Sequence, residues 1–430
     1  MTAETMESRM QAGARTLGKT DRPRLLPDDH AGPSLAAHVA RYGALPDRRP
    51  AALLDAVERS GLTGRGGAGF PTGRKLRAVV ESRGRATVVV NATEGEPASG
   101  KDAVLLAKSP HLVIDGAIAA ARAVDADAIE IVVSRAGETG RASLARALDE
   151  RSDVRGITLS SAPERFITGE ESALVHWLNG GDAKPTLTPP RPSQRGVRRR
   201  PTLVQNAETI ANIGLIARFG SDWLRSAGTA AEPGTALLTI SGAVSRPGVL
   251  EVPIGTPLGR ALEARGGAER PAGFLVGGYF GAWLDSPSPL EVPLSNAGLR
   301  AAGTSLGAGI IVAFPEHTCG LRETARAARY LANESAGQCG PCMFGLPAMA
   351  DALDRIVGGV DVEAQVARLG KLTALVEGRG ACAHPDGAAR LVRSALTVFA
   401  DEARQHAHGR CRAPHGTPLL GLPPVPTEWR

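Results

Sequence analysis

Two stretches of this chain carry residue types that could do chemistry. Gly64-Arg-Gly-Gly-Ala-Gly-Phe-Pro-Thr-Gly-Arg-Lys75 sets five glycines in ten residues ahead of two cations. Ordering so many glycines is entropically expensive, and such a loop is kept where side chains would obstruct a close approach to the backbone. Bare N–H groups can then turn toward an anion, with Arg65, Arg74 or Lys75 to neutralise it. The reading is a phosphate-cradling loop for a nucleotide or a flavin, against a merely tight glycine-rich turn. It is not a Walker loop, and although Gly64, Gly66 and Gly69 match a dinucleotide-fingerprint spacing, no convincing strand precedes them. The second stretch is Cys339-Gly-Pro-Cys342, with Cys382 able to return to it if helices pack back together. Soft thiolates select zinc or iron–sulfur clusters. A redox dithiol and plain buried cysteines are the alternatives. Cys319, His384, Ser335 or an external ligand could complete the set, while Cys411 lies in a polar tail and reads as incidental.

The elements that must position these residues alternate. Ala51 to Arg59 has helical spacing stopped by Gly61, Arg74 to Val80 opens another helix, and Thr87 to Val90 is a short buried strand. That strand runs into Asn91-Ala-Thr-Glu-Gly-Glu-Pro97, which puts polar groups at a strand end, where α/β proteins commonly place their sites. His111 to Val124 is an apolar helix, Ile129 to Val133 a strand and Ser143 to Leu148 a helix, so the pattern predicts a three-layer α/β domain. Gly169, Glu170 and Glu171 precede the helix Ser172 to Leu178, where acids also serve simply as caps. Gly180 to Pro201 is a stiff loop rich in Pro and Arg, and Gln205-Asn206 leads into the helix Thr209 to Phe219. Short strand-like pieces separated by Gly and Pro follow from about 235 to 315. Helical periodicity then fills Leu321 to about His408.

Composition bounds the rest. A chain of 430 residues fills a substantial core and divides into two to four domains. Its formal charge of +6 permits an acidic partner but does not argue for nucleic acid. The arginines between Arg195 and Arg200 have no interleaved aromatics for base stacking, so they read as a solvated loop or a ligand-phosphate contact. No secretory signal is visible near Met1. The longest apolar segment, Leu112 to Val133, is broken by Asp115, Arg122, Asp125, Asp127 and Glu130, so membrane insertion is not expected and a cytoplasmic place is. Five cysteines concentrated in the last third fit a metal site or free thiols better than an extracellular disulfide framework.

With these motifs in order, the sequence resembles the NADH-dehydrogenase flavoprotein family, the 51 kDa component of respiratory complex I and its counterparts in related soluble dehydrogenases and hydrogenases. The resemblance runs from about Ala51 to His406. Gly64 to Lys75 is similar to the family's flavin and nucleotide loop, and Asn91 to Pro97 to its Asn-Ala-Asp-Glu-Ser-Glu-Pro. Gly169-Glu170-Glu171 matches its Gly-Glu-Glu, and Pro201 to Thr209 its Pro-Thr-Thr-Val-Asn-Asn-Val-Glu-Thr. Glu334 to Cys342 matches Glu-Ser-Cys-Gly-Gln-Cys-x-Pro-Cys, with Cys382 in the place of the distant ligand.

The resemblance implies an α/β flavin-binding domain (46–233), a small ubiquitin-like β-grasp domain (234–316) and a C-terminal helical bundle carrying the cysteine motif (317–408). A polar leader (1–45) and a flexible tail (409–430) flank them. FMN would be held by Gly64, Arg65, Gly66, Gly67, Ala68, Lys75, Asn91, Thr93, Glu94, Phe166, Gly169, Glu170, Glu171, Gln205 and Asn206. Phe70 and Glu96 would lie toward the nicotinamide nucleotide, NAD(H) or NADP(H), with Arg191 nearby. Cys339, Cys342 and Cys382 would hold the iron–sulfur cluster. Hydride transfer to a flavin needs no acid–base residue, since the protein supplies orientation and potential. The expected partner is a ferredoxin or another iron–sulfur protein, with a membrane reductase reached only through it. Reverse flow from reduced ferredoxin, or a scaffold without redox chemistry, are the other readings.

The departures from the family pattern are specific. Ala336 stands where the first cluster cysteine would be, which implies a three-iron cluster, a four-iron cluster with a non-cysteine ligand, or an empty site. Leu76, Ala78 and Arg191 replace aromatic residues expected around bound dinucleotide, each lost stacking contact weakening binding by on the order of 1 kcal/mol. Arg191, Arg195, Arg198, Arg199 and Arg200 could favour the extra phosphate of NADPH or an acidic protein donor. Thr93 replaces an Asp and Phe166 a Tyr, each removing one polar contact near the flavin.

Overall fold

Val88, Val89 and Val90 are fully shielded from solvent because their strand lies inside a parallel sheet covered on both faces. The computed structural model describes residues 15–17, 24–27, 31–268, 271–286, 288–413 and 416–430. β1 is the short strand Arg15–Thr16, β2 is Ala86–Ala92, β3 Ala126–Ser134, β4 Ile157–Ala162 and β5 Thr202–Asn206. The last four form one parallel sheet in the order β4-β3-β2-β5. Val88 and Val90 face the helices Pro110–Ala123 and Ala207–Phe219, whereas Val89, Val132 and Val204 face Leu174 and Val175 of the helix Glu171–Leu178. Three layers result, as the alternation predicts.

Chain order locates the site. From β2 the chain steps outward to β3 and β4, then returns to place β5 on the other side of β2. The crevice outside the carboxyl ends of β2 and β5 is therefore a topological switch point, where open α/β sheets bind ligands. Behind it, the two long helices cross at close range. A Cβ on Gly116 would run into the Ile210 carbonyl oxygen, and one on Gly214 would lie 3.0 Å from the Gly116 nitrogen. Only glycines let these backbones meet.

β6 (Thr235–Gly242), β7 (Gly248–Pro253), β8 (Pro271–Val276), β9 (Ala282–Asp285) and β10 (Ile310–Pro315) build a second sheet, ordered β1-β7-β6-β10-β8-β9. The β6–β7 hairpin is antiparallel, β10 runs parallel to β6 at the centre, and the helix Leu258–Glu263 packs Leu258, Ala261 and Leu262 against Leu238, Leu250 and Phe274. This is a β-grasp. Beyond it come the helices Gly320–Asn333, Leu346–Val357, Val362–Val376, His384–Val398 and Ala400–Ala407. They share a core with the β-grasp through the rings of Trp283, Phe314 and Phe399, whose centroids lie 5.0–5.8 Å apart.

Both chain ends differ from expectation. Much of the first thirty residues lies outside the described segments, but Leu25 and Leu26 are buried and their N–H groups donate to the buried Glu251 carboxylate at 3.2 and 3.0 Å. The helix Leu35–Tyr42 follows, with His38 on Asp115 at 2.6 Å. The leader is thus partly built into the core. The tail, expected to be flexible, lies against the fold without regular structure. Leu419 and Leu420 donate their N–H groups to Glu323 (3.2 and 2.8 Å), the Ala183 N–H donates to the Trp429 carbonyl (2.8 Å), and Arg165 stacks 3.8 Å over the Trp429 ring. Its leucines, the Pro426 carbonyl and Trp429 supply contacts that have no periodicity to read.

Candidate functional site

Asn91 and Asn206 are register partners at the ends of β2 and β5, so the switch point is lined by two carboxamides. Asn91 Nδ2 donates to the Gly169 carbonyl at 2.8 Å, while its Oδ1 accepts from the Thr93 hydroxyl at 2.6 Å. Asn206 caps the helix Ala207–Phe219 through its Oδ1, and its Nδ2 donates to Asp102 at 2.7 Å. Gln205 is buried beside it on β5, opposite Val90. The glycine loop closes over this edge. It is pinned at its base by Gly64 N–H to the Phe70 carbonyl (2.8 Å) and Thr72 N–H to the Leu62 carbonyl (2.9 Å), and it takes positive φ at Gly67 (108°) and Gly69 (62°). A Cβ on Gly66 would sit 3.2 Å from Asn206 Cβ, and one on Gly169 would sit 3.2 Å from Thr93 Oγ1. Gly66, Ala68 and Phe70 are exposed at the mouth.

Lys75 projects from the helix Thr72–Val80 directly after the loop. Its Nζ reaches Glu171 Oε2 at 2.9 Å and the Val204 carbonyl at 2.8 Å, so it ties the loop to the end of β5. Glu170 has a structural duty. Its carboxylate accepts from the N–H groups of Ser172 and Ala173, both at 2.9 Å, and caps their helix. Glu94 does the same for the helix Lys101–Lys108, accepting from the Asp102 and Ala103 N–H groups at 3.1 and 3.0 Å. Burial, reinforced by Asp102, raises its pKa.

Arg65, Phe166, Glu96 and Arg191 are not where a simple cradle would put them. The Arg65 guanidinium turns inward, donating to the Thr235 carbonyl (3.1 Å) and to Thr63 (2.8 Å), so it fastens the loop to the start of β6 instead of facing a ligand. Its buried charge is balanced by Glu208 at 3.9 Å. The Phe166 ring packs edge-on against Phe280 (4.7 Å) and His384 (5.7 Å), on the side of the cysteines. Glu96 accepts from the Tyr279 N–H at 3.3 Å, and burial pushes its carboxyl up to about 8. Arg191 is exposed in the 180–201 loop.

Sequence reasoning missed the charges beneath the site. Lys101 Nζ lies 2.7 Å from Asp102, 3.1 Å from Glu208 and 3.1 Å from Asn206 Oδ1, the three charged groups close to fully buried. This quartet sets the orientation of the Asn206 amide. The adjacent Lys-Asp after Gly100 was the available signal, since two charges heading an apolar helix need partners.

Cys342 lies on the π-helical turn Pro341–Gly345, with its thiol beside those of Cys339 and Cys382 and bonded to the Ser335 hydroxyl. Burial first, then the neighbouring thiols, push it up to about 12. Three sulfurs and one hydroxyl therefore converge, and Ser335 stands next to Ala336. His384 donates Nε2 to the Leu331 carbonyl at 2.8 Å, burial lowers its pKa to about 4 and keeps it neutral, and its Nδ1 is buried with no hydrogen-bond partner among the described residues. Cys319 is not a spare ligand, since it caps the opposite end of the Gly320–Asn333 helix. Fourteen helical residues put it about 20 Å from Ser335. Glu334 anchors the cysteine loop to the α/β domain through Arg165 Nε and the Phe166 N–H, both at 2.9 Å.

A switch-point crevice under a glycine loop, with the Phe166, Phe280 and His384 rings packed on the side of Cys382, is the arrangement of a nucleotide- or flavin-binding protein. Residues 57–215 match the Nuo51 FMN-binding domain, 237–276 the SLBB domain, and 322–406 the NADH-ubiquinone oxidoreductase-F iron–sulfur binding region. The chain is 35% identical over 378 residues to the NADH-quinone oxidoreductase F subunit of Streptomyces coelicolor, covering 84% of each chain. It is 32% identical over 405 residues to the second such F subunit of Rhizobium meliloti, covering 90% of this chain and 96% of that one. Among solved structures it resembles a chain of an NAD+-reducing [NiFe]-hydrogenase in the air-oxidized state, with TM-score 0.80 and 29% identity over 94% of this chain and 70% of that one. For the H2-reduced state the TM-score is 0.76 at 31% identity, over 85% of this chain and 63% of that one. The chain belongs to the family of NADH-quinone oxidoreductase F subunits. It is accordingly a redox-active NAD(P)H-dependent flavin and iron–sulfur oxidoreductase, passing electrons through FMN toward an iron–sulfur acceptor.

The residues present fit these groups. Gly66 and Gly169 let the loop and the helix start close on Asn206 and Thr93, and the exposed main chain at Gly66 and Ala68, with Lys75 nearby, suits an anion at the mouth. Three thiols with a serine hydroxyl suit a cluster short of one cysteine.

Proposed function

We propose that FMN lies across the β2–β5 switch point, and that electrons leave it toward the Cys339–Cys342–Cys382 group for a ferredoxin or other iron–sulfur protein in the cytoplasm. The observation that carries this is the register pair Asn91 and Asn206 under bare glycine backbone, with the Phe166 ring 5.7 Å from that of His384. When bound, the flavin supplies hydride acceptance and one-electron release. The chain's own residues orient and screen. Gly64, Gly66, Gly67 and Ala68 present main chain to the phosphate end, and Lys75 neutralises it while Glu171 keeps the ammonium in place. Asn91, Thr93 and Asn206 hold polar edges, their amides fixed by Gly169 and Lys101. Phe70, exposed at the mouth, offers a stacking face to the dinucleotide. Ser335 takes the fourth corner beside Cys342 in place of the cysteine that Ala336 lacks. Arg191, Arg195, Arg198 and Arg199, all exposed on one loop, favour the additional phosphate of NADPH. Among the described residues no single helix is long and apolar enough to cross a membrane.

Anaerobic titration of the flavin-loaded protein with NADH and with NADPH tests the reading, followed by iron and sulfide analysis and low-temperature EPR. Bleaching near 450 nm by a nicotinamide nucleotide and an iron signal are expected. A colourless protein that takes up no FMN would refute the site assignment, and bleaching by reduced ferredoxin alone would reverse the direction.

A further inference from the structure

At the far end of the Gly320–Asn333 helix from the Cys339 group, a second soft-ligand cluster comes together from three separate elements. Cys319 precedes the helix, His406 ends the last helix Ala400–Ala407, and Cys411 opens the tail. Their ligand atoms all lie within 4.8 Å of one another, and Cys319 Sγ is 3.3 Å from His406 Nε2. A tetrahedral zinc ion with Zn–S of about 2.3 Å and Zn–N of about 2.05 Å separates such an S and N by about 3.6 Å, so the pair is already spaced for one ion. The His406 imidazole also has the Val357 carbonyl as a partner, and a backbone carbonyl of this kind orients metal-binding histidines.

Buried beside the Glu402 carboxylate, Cys319 needs a cation next to it to become a thiolate; its Sγ accepts from the Arg322 N–H at 3.4 Å at the helix N-terminus. Arg322 Nη2 approaches Cys411 Sγ at 3.8 Å while its Nη1 holds the Ala413 carbonyl at 2.9 Å. Cys319, His406 and Glu402 are each less than 5% exposed, and the Glu402 carboxylate, which accepts from the Leu321 N–H at 3.3 Å, acts by its charge on both Cys319 and His406. A hydrogen-bonded Cys319–His406 pair alone would not require Cys411, which no secondary structure holds there.

We propose that Cys319, His406 and Cys411 form a zinc site, distinct from the iron–sulfur group, that clips the start of the C-terminal tail to the helical domain. Glu402 or water completes the tetrahedron. Zinc enters as the two thiol protons leave to solvent, and no electron moves. The clip fixes the origin of a segment that goes on to Glu323, the Tyr279 hydroxyl and Arg165.

The full-length protein, purified anaerobically with reductant, is assayed for zinc by mass spectrometry and titrated with Zn2+ against a chromogenic chelator and with Co2+. The expected result is one zinc per chain with a Kd below about 1 μM, and tetrahedral thiolate–cobalt bands. Cys411→Ala, at a partly exposed position outside any helix, should keep its fold by circular dichroism, keep its iron, and bind zinc about 100-fold more weakly. Cys339→Ser should lose iron and keep zinc. The proposal is overturned if the reduced wild type takes up no zinc or cobalt in that range, including the case where its aerobic form instead carries a Cys319–Cys411 disulfide. Unchanged uptake in Cys411→Ala, or loss of zinc in Cys339→Ser, overturns it equally.

Discussion

Replacing Glu96 by glutamine isolates one carboxyl whose surroundings hold a proton into the neutral range. Glu96 sits between the α/β domain and the β-grasp, accepts from the Tyr279 N–H, and has its pKa pushed by burial from 4.5 up to about 8. At 1.36 kcal/mol per unit the ceiling on this effect is about 5 kcal/mol. The residue is partly open to solvent, and screening reduces the figure to on the order of 2 kcal/mol. The folded-state value is raised, so between pH 4.5 and 8 the native chain holds a proton that the unfolded chain has released. Stability from this group is therefore full below pH 4.5 and falls as pH rises, with nothing further to lose above pH 8. Glutamine keeps the shape and the Tyr279 acceptor without the titration. Thermal denaturation of wild type and Glu96→Gln at pH 5, 7 and 9 should show a gap in Tm that widens in favour of the variant by roughly 3 °C. Parallel profiles would refute the reasoning, because they would mean that Glu96 ionises as it does in water.

The remaining tests are more local. Gly116→Ala should destabilise by about 3 kcal/mol or more, since its methyl meets the Ile210 carbonyl, whereas Gly370→Ala, in a helix with open space around it, should stabilise by about 0.5–1 kcal/mol; chemical denaturation of both checks the helix-crossing argument. Arg165→Ala leaves the buried Glu334 carboxylate unpaired and releases Trp429, and should cost about 3–5 kcal/mol together with a red shift of tryptophan emission. Cys339→Ser should abolish the iron EPR signal while leaving flavin content unchanged, which quantitation of both cofactors on one sample decides.

What could be read beforehand follows from what leaves a periodic trace. The strand at Thr87–Val90, the helix from His111 and the helical stretches beyond Leu321 are all present, because burial imposes a period on the residues themselves. The glycine loop is present as a turn with positive φ at Gly67 and Gly69, while its phosphate-cradling role stands as a proposal. Long-range pairing leaves no such mark. Nothing local says that Arg65 turns toward Thr235, that Glu251 holds Leu25 and Leu26, or that the tail returns to Arg165. Cys411 looked incidental for the same reason, since its neighbours are 92 residues upstream at Cys319 and five upstream at His406.

The division of labour at the crevice bears on how this chain can depart from the family pattern and keep its fold. Glu94 and Glu170 are helix caps, and Asn206 is both a cap and a partner of Asp102. Altering any of them would unsettle a helix before it changed a contact to a ligand. Thr93, by contrast, uses its hydroxyl on Asn91 alone, and Ala336 lies in a loop held by its neighbour Glu334. Positions whose polar atoms serve only the site can change at the expense of affinity or potential, while those that also terminate helices cannot. By this logic Arg191, exposed and serving no helix longer than four residues, is free to change donor preference without touching stability. Arg191→Phe should shift the NADPH-to-NADH ratio of kcat/KM downward by about tenfold and leave Tm within about 1 °C. A ratio unmoved by that substitution would assign the loop's charge to a protein partner instead of the dinucleotide.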